Sequence, residues 1–202
     1  MFVKICGLRT REHVDAAIAA GANAVGFVFA ESVRRIDPAA AAEITDSVPN
    51  DVRKVAVMLH PSNDEWQEVL AGFGPDVLQT DAEDFATLDV PAAVECWPVH
   101  RQPNKVADPF ILDVKGSATF LYEGAKSGQG ETVDWSRAAK IAERGNMILA
   151  GGLGPDNVAD AIRAARPWGV DVSSGVESAP GQKDSRLIQA FISAARAAER
   201  EL

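Results

Sequence analysis

Short runs rich in β-branched side chains alternate with alanine-rich segments of helical period along this 202-residue chain. That alternation narrows the fold more than any other feature, because strands separated by crossover helices must pair in parallel. Strands are expected at 2–6, 24–29, 54–59, 77–79, 93–99, 119–123, 147–150 and 169–172, which makes eight. Helices are expected at 10–20, 38–47, 63–73, 82–88, 135–144, 155–165 and 184–198. Several starts carry cap chemistry, such as Asp37 before Pro38, Ser62 or Asn63 before Asp64 and Glu65, and Pro155 in a first turn. The fifth crossover lacks helical period, since Pro103, Pro109 and Gly116 interrupt it. Phe110, Ile111 and Leu112 within it form a short apolar run that could compete as an extra strand.

Eight βα units in about 200 residues require short connections. An open doubly wound sheet is the alternative, but it would gather its ligand-binding signal at one glycine-rich loop. Here the informative residues follow the first, second, sixth, seventh and eighth strands, as around a barrel mouth. The expected fold is therefore α/β, a single (β/α)8 TIM barrel spanning residues 1–202, with a vestigial fifth helix.

Net charge bounds the partners. With 20 Lys and Arg against 29 Asp and Glu the chain carries −9, so its surface should repel nucleic acid and anionic membrane. Cys6 and Cys96 lie in apolar runs outside any CxxC or His/Cys cluster, so no metal site is expected. Neither a leader nor an 18-residue apolar run is seen, which implies a cytoplasmic protein. The sequence leaves monomer and homodimer open.

Cys6 ends the first strand in Val3-Lys4-Ile5-Cys6-Gly7-Leu8, where barrel enzymes place catalytic groups. A free thiol has a pKa of about 8.5, so a cation such as Lys4 or Arg34 could supply thiolate near neutrality. Inert packing is the competing reading for a strand-end cysteine. Ala150-Gly151-Gly152-Leu153-Gly154 and Asp171-Val172-Ser173-Ser174-Gly175-Val176-Glu177 end the last two strands. Glycines let backbone N–H groups approach a phosphate, and these two loops often form that site in a barrel; alternatively they only make tight turns.

KICGL, GFVFAESVRRI, LAGGLGPDNVADAI and GVDVSSGVESAPGQKD, in that order over essentially the whole chain, resemble the phosphoribosylanthranilate isomerase family. The resemblance implies an Amadori-type rearrangement in tryptophan biosynthesis on a small phosphosugar substrate, without metal or other cofactor. It implies Cys6 as general base and Arg34 as the grip on the anthranilate carboxylate. It further implies Asp171 on a ribose hydroxyl or the substrate amine, Gln79 as a substrate contact, and the backbones of Gly152, Leu153, Ser174 and Gly175 as the phosphate cradle.

Three positions depart from the family pattern. Glu123 stands where the family's general acid is an aspartate; it keeps a carboxyl with one more methylene, and Asp134 is the substitute acid. Gln79-Thr80-Asp81-Ala82 stands where glutamine-leucine-histidine-glycine is usual, and Asp81 is expected to point away or cap the next helix. Val33 replaces a frequent proline. Two other functions compete: a barrel that kept phosphate binding but lost catalysis, and a phosphoribosyl isomerase of the histidine pathway. Trp66, Trp97, Trp135 and Trp168 read as packing residues, and no histidine is assigned chemistry.

Overall fold

The computed structural model describes residues 1–102, 119–124 and 133–202. Eight strands, β1 (Phe2–Cys6), β2 (Ala24–Val28), β3 (Arg53–Val57), β4 (Val77–Asp81), β5 (Glu95–Arg101), β6 (Thr119–Glu123), β7 (Asn146–Leu149) and β8 (Gly169–Val172), pair in chain order. All eight pairings are parallel, and β1 beside β8 closes the barrel. The expected (β/α)8 barrel is therefore the observed one. The expectations for the fifth crossover and for Phe110, Ile111 and Leu112 lie outside the described residues.

Helices α1 (Arg11–Ala20), α2 (Pro38–Ile44), α3 (Asn63–Phe73), α4 (Trp135–Ala142), α5 (Val158–Ala165) and α6 (Ser185–Glu199) accompany the strands. Their ends follow local chemistry. Asp37 accepts hydrogen bonds from the N–H groups of Ala39 and Ala40 ahead of α2, and Ser62 with Glu65 forms a reciprocal capping box at α3. Gly21 and Gly74 take the left-handed conformation that stops α1 and α3.

Two expectations are corrected. The helix anticipated at 82–88 is a 3-10 helix, Ala82–Ala86, ended by Thr87, whose N–H and hydroxyl both bond the Asp84 carbonyl. Helix α5 starts at Val158 rather than near Pro155, because the Asn157 side chain turns back to accept from the Gly154 N–H at 2.8 Å and donate to the Gly152 carbonyl at 2.9 Å.

Strand alternation divides the apolar residues into two cores. Val3, Ile5, Val25, Phe27, Leu78, Phe120, Met147 and Val170 face outward and pack under the helices with Trp66, Ile162 and Phe191. Ala24, Val55, Val77, Trp97, Val99, Leu121, Ile148 and Ala150 fill the barrel interior. At the amino-terminal end of the strands Phe2 stacks on Trp168, ring centroids 4.5 Å apart, and meets Trp97 edge-on at 5.6 Å, forming an aromatic floor. Gly169 makes room for it, since an added Cβ would lie 2.9 Å from both the Cβ and the carbonyl of Phe2.

Among the described residues no helix is long and apolar enough to cross a membrane. Phe191 of α6 is fully buried between helix and barrel. Phe191→Ala should cost about 3–5 kcal/mol, read as a lower urea midpoint with an unchanged denaturant slope.

Candidate active site

The same alternation decides what the mouth of the barrel presents. Counting by twos along the inward faces, β1 runs Phe2, Lys4, Cys6; β4 runs Val77, Gln79, Asp81; β5 runs Trp97, Val99, Arg101. Strand β6 contributes Leu121 then Glu123, and β8 contributes Gly169 then Asp171. These five strands thus end at the carboxyl face with a polar or reactive group.

A cavity of about 230 Å³ opens there. Cys6, Gln79, Glu123 and Asp171 line it from the strand ends, and Gly151, Gly152, Leu153, Ser173 and Ser174 line it from the loops after β7 and β8. Arg34 from the loop after β2, Met58 and Leu59 after β3, and Val28 at the end of β2 complete the lining. Cys6 and Glu123, far apart in sequence, therefore share one cavity.

Three knots of charge surround it. Directly below, Lys4 is fully buried and donates to Asp171 at 2.7 Å, the two residues facing each other across the β1–β8 ladder. Burial works against the Lys4 charge, but Asp171 and the Cys6 thiol outweigh it and raise its pKa. Gly26 leaves room for this packing, since a Cβ there would come within 3.2 Å of the Cys6 Sγ and the Lys4 Nζ. For Cys6 the balance differs from the expected neutral-pH thiolate. Burial pushes the thiol up, with Asp171 adding to it, and the opposing pull of Lys4 and Lys183 does not cancel that.

The second knot ties the β2 loop to the chain after β8. Strands β9 (Glu177–Ala179) and β10 (Gln182–Lys183) form a small antiparallel hairpin. Glu177 accepts from Arg34 through Nε at 2.7 Å and Nη2 at 2.9 Å, from Lys183 at 2.7 Å, and from the Gly181 N–H at 3.1 Å. Burial alone would raise Glu177, yet these donors lower its pKa to about 2. Arg34 consequently has its Nε side occupied and keeps its Nη1 hydrogens and the second Nη2 hydrogen for a further carboxylate. The loop that carries Val33 is tied down by Arg9, which donates to the Val33 carbonyl at 3.0 Å.

The third knot is at the ends of β4, β5 and β6. Arg101 lies opposite Glu123 in the β5–β6 register and donates to its carboxyl; it also donates to Asp81 through Nη2 at 2.5 Å and Nε at 3.2 Å. Asp81 occupies the cap position of the 3-10 helix but makes no side-chain cap bond, so the capping expectation is corrected in favour of this ion pair. Burial raises the Glu123 pKa; Arg101 opposes that shift without overcoming it.

Two further expectations change. Asp134, the substitute acid, caps α4 by accepting from Ser136 at 2.9 Å and Arg137 at 3.2 Å, and it does not line the cavity. Gly175 also stands back from the cavity. A Cβ on it would fall 1.9 Å from the Leu153 carbonyl oxygen, so its role is to let the β8 loop lie against the β7 loop. Gly151 and Gly152, both with positive φ, shape the latter. Folding also brings His60, Asp81 and Glu83 together with ligand-type atoms within 4.8 Å. Asp81 is committed to Arg101 and the His60 Nδ1 to Asp84 at 2.9 Å, which makes this an ion-pair cluster.

Sequence reading missed Arg101, Glu177, Lys183 and Asn157. Lys183 and Glu177 lie within the GVESAPGQKD segment, and Arg101 continues the inward count of β5, so a stricter count by twos would have found it.

Comparison with known proteins bears directly on this arrangement. Residues 3–194 match the family model for N-(5'phosphoribosyl)anthranilate (PRA) isomerase. The N-(5'-phosphoribosyl)anthranilate isomerase of Roseiflexus castenholzii is 38% identical over 99% of this chain and 100% of that protein. The crystal structure of phosphoribosyl anthranilate isomerase from Thermus thermophilus superposes with a TM-score of 0.84 at 30% identity, covering 98% of this chain and 99% of that one. A phosphoribosyl anthranilate isomerase in complex with reduced 1-(o-carboxyphenylamino)-1-deoxyribulose 5-phosphate gives a TM-score of 0.77 at 27% identity, with the same coverage. The chain belongs to the N-(5'-phosphoribosyl)anthranilate isomerase family.

Proposed function

We propose that this protein isomerises N-(5-phosphoribosyl)anthranilate to 1-(2-carboxyphenylamino)-1-deoxyribulose 5-phosphate in tryptophan biosynthesis. The observation that carries the reading is the shared cavity, lined by a thiol, a carboxyl group and two glycine- and serine-bearing loops. Family membership, and a relative solved with a reduced form of that product, support the same choice.

In this reading the phosphate rests against the backbone at Gly152, Leu153 and Ser174, with Gly175 holding the two loops together. Neutral Glu123 protonates the ribose ring oxygen, the bond from that oxygen to C1' breaks, and the nitrogen lone pair forms the protonated Schiff base. The Cys6 thiolate then takes the C2' proton, and the electron pair of that C–H bond moves to give the enolamine. Tautomerisation delivers the aminoketose. Burial keeps Glu123 protonated to higher pH than a free carboxyl, which suits an acid. Lys4 and Lys183 are the cations that stabilise the thiolate once it forms.

Arg34 offers its Nη1 and remaining Nη2 hydrogens to the anthranilate carboxylate while Glu177 holds the Nε side of the guanidinium. Asp171, fixed by Lys4, accepts from a ribose hydroxyl or the substrate amine, and Gln79, whose buried Oε1 has no partner among the described residues, takes a further substrate donor. Residues 1–202 form one catalytic unit, a cytoplasmic monomer or homodimer, whose net charge of −9 disfavours nucleic acid and anionic membrane as partners.

Cys6→Ser should lower kcat by at least about 10²-fold with an unchanged circular dichroism spectrum, and full activity in that variant would remove the base. Glu123→Gln, which cannot donate a carboxyl proton, should fall by a comparable factor in the same assay. Gly175→Ala should instead act on binding: the loops must part, so KM for the phosphorylated substrate should rise about tenfold or more with a smaller change in kcat. Growth of a tryptophan auxotroph lacking this isomerase, restored by the wild-type chain and not by Cys6→Ser, tests the reading as a whole.

A further inference from the structure

Arg101 contacts the acid and Asp81 contacts Arg101, neither lines the cavity, and the isomerase reading leaves both unassigned. We propose that they form a positioning pair for Glu123, in which Arg101 fixes its carboxyl at the mouth while Asp81 holds the guanidinium back from claiming that carboxyl as an anion. The inference rests on Glu123 being the general acid.

The geometry carries it. Arg101 spends two of its three nitrogens, Nε and Nη2, on the two oxygens of Asp81, a fork that fixes the guanidinium plane. Only Nη1 remains for Glu123, on the Oε1 oxygen. One cation thus sits between two carboxyl groups, with side-chain exposures of 8% for Asp81 and 14% for Glu123. Charge in so shielded a place is costly unless matched, and the arrangement is balanced when the pair Asp81–Arg101 is neutral and Glu123 carries a proton. A single carboxylate facing Arg101 would be held as the anion, which is the wrong state for a proton donor.

Other charges facing these groups pull the same way or act at a remove. Asp171 on β8, partnered by Lys4, adds negative potential at Glu123. His60 approaches Asp81 with Nε2 at 3.5 Å but spends Nδ1 on Asp84, and Glu83 sits beside it. The carboxyl groups around Glu123 therefore support its protonated form, with Arg101 the opposing charge. The pair also accounts for the two departures from the family pattern together. The longer Glu123 reaches a guanidinium anchored on the neighbouring strand, and the anchor is the aspartate standing where the family usually has histidine.

The test is the titration of Glu123 itself, followed by carboxyl ¹³C NMR and identified by the resonance lost in Glu123→Gln. In Asp81→Asn the guanidinium is released to Glu123, so its midpoint should fall by about one pH unit. At pH values above the midpoint the protonated fraction, and turnover with it, should then fall about tenfold. Arg101→Gln should move the midpoint the other way, upward by a similar amount, so either variant suffices if the other fails to fold. A midpoint within about 0.3 units of wild type in a folded variant, or a shift of the opposite sign, overturns the proposal. The isomerase reading is judged separately, by whether the wild-type protein turns over phosphoribosylanthranilate; the NMR midpoints do not depend on substrate.

Discussion

Closing eight parallel strands into a barrel leaves each strand residue one of two fates, inward or outward, and every local choice in this protein obeys that division. Outward positions that the helices cover take apolar side chains such as Val3, Ile5, Phe27, Leu78 and Phe120. On β5 and β6 the inward positions are apolar first and then change character over a single step of two, from Val99 to Arg101 and from Leu121 to Glu123, whereas β2 and β3 stay apolar to Val28 and Val57. The change coincides with the point where the strands emerge from the packed plug into the mouth. Chemistry is placed by strand length, and the strand ends share one ring because adjacent strands pair in register.

Packing charged groups at that ring has an energetic cost that the three knots meet in different ways. Lys4 and Asp171 are satisfied by each other and by the thiol; removing one partner of such a buried pair typically costs about 3–5 kcal/mol. Glu177 is matched by two cations and tied to two loops, so it serves as a rivet between the arginine-bearing loop and the chain that leads into α6. Arg101 is shared between two carboxyl groups. Opposite imbalances therefore sit on the two sides of the cavity: excess positive charge near Cys6 and Arg34, excess negative charge near Glu123. Such a field favours the neutral carboxylic acid at Glu123, and at Cys6 it offsets part of the burial that holds the thiol protonated.

Much of this was legible in the sequence, and the gaps have physical reasons. Strands β1, β6 and β8 were read with their observed limits because apolar period and flanking turns agree there. Strand β5, expected at 93–99, runs two residues further, from Glu95 to Arg101. In the barrel Pro98 pairs opposite Thr80 within the β4–β5 ladder and the strand continues to Arg101. Asp81 was misjudged for a related reason. Local chemistry offers a cap, whereas its partner lies twenty residues away on the next strand, a distance no local pattern encodes. Gly175 shows another limit: a glycine that admits a ligand and a glycine that admits a neighbouring carbonyl look identical in a sequence. The burial of Cys6 was equally invisible, since the neighbours that desolvate it come from other strands.

The aromatic floor of Phe2, Trp97 and Trp168 has a consequence for traffic. With the amino-terminal end stoppered, reactant and product must use the same doorway, and the departing ketose has to clear the vestibule before the next aldose can enter. Occupancy by one excludes the other, so accumulated product competes with fresh substrate by simple obstruction, and any change that quickens exit also loosens entry.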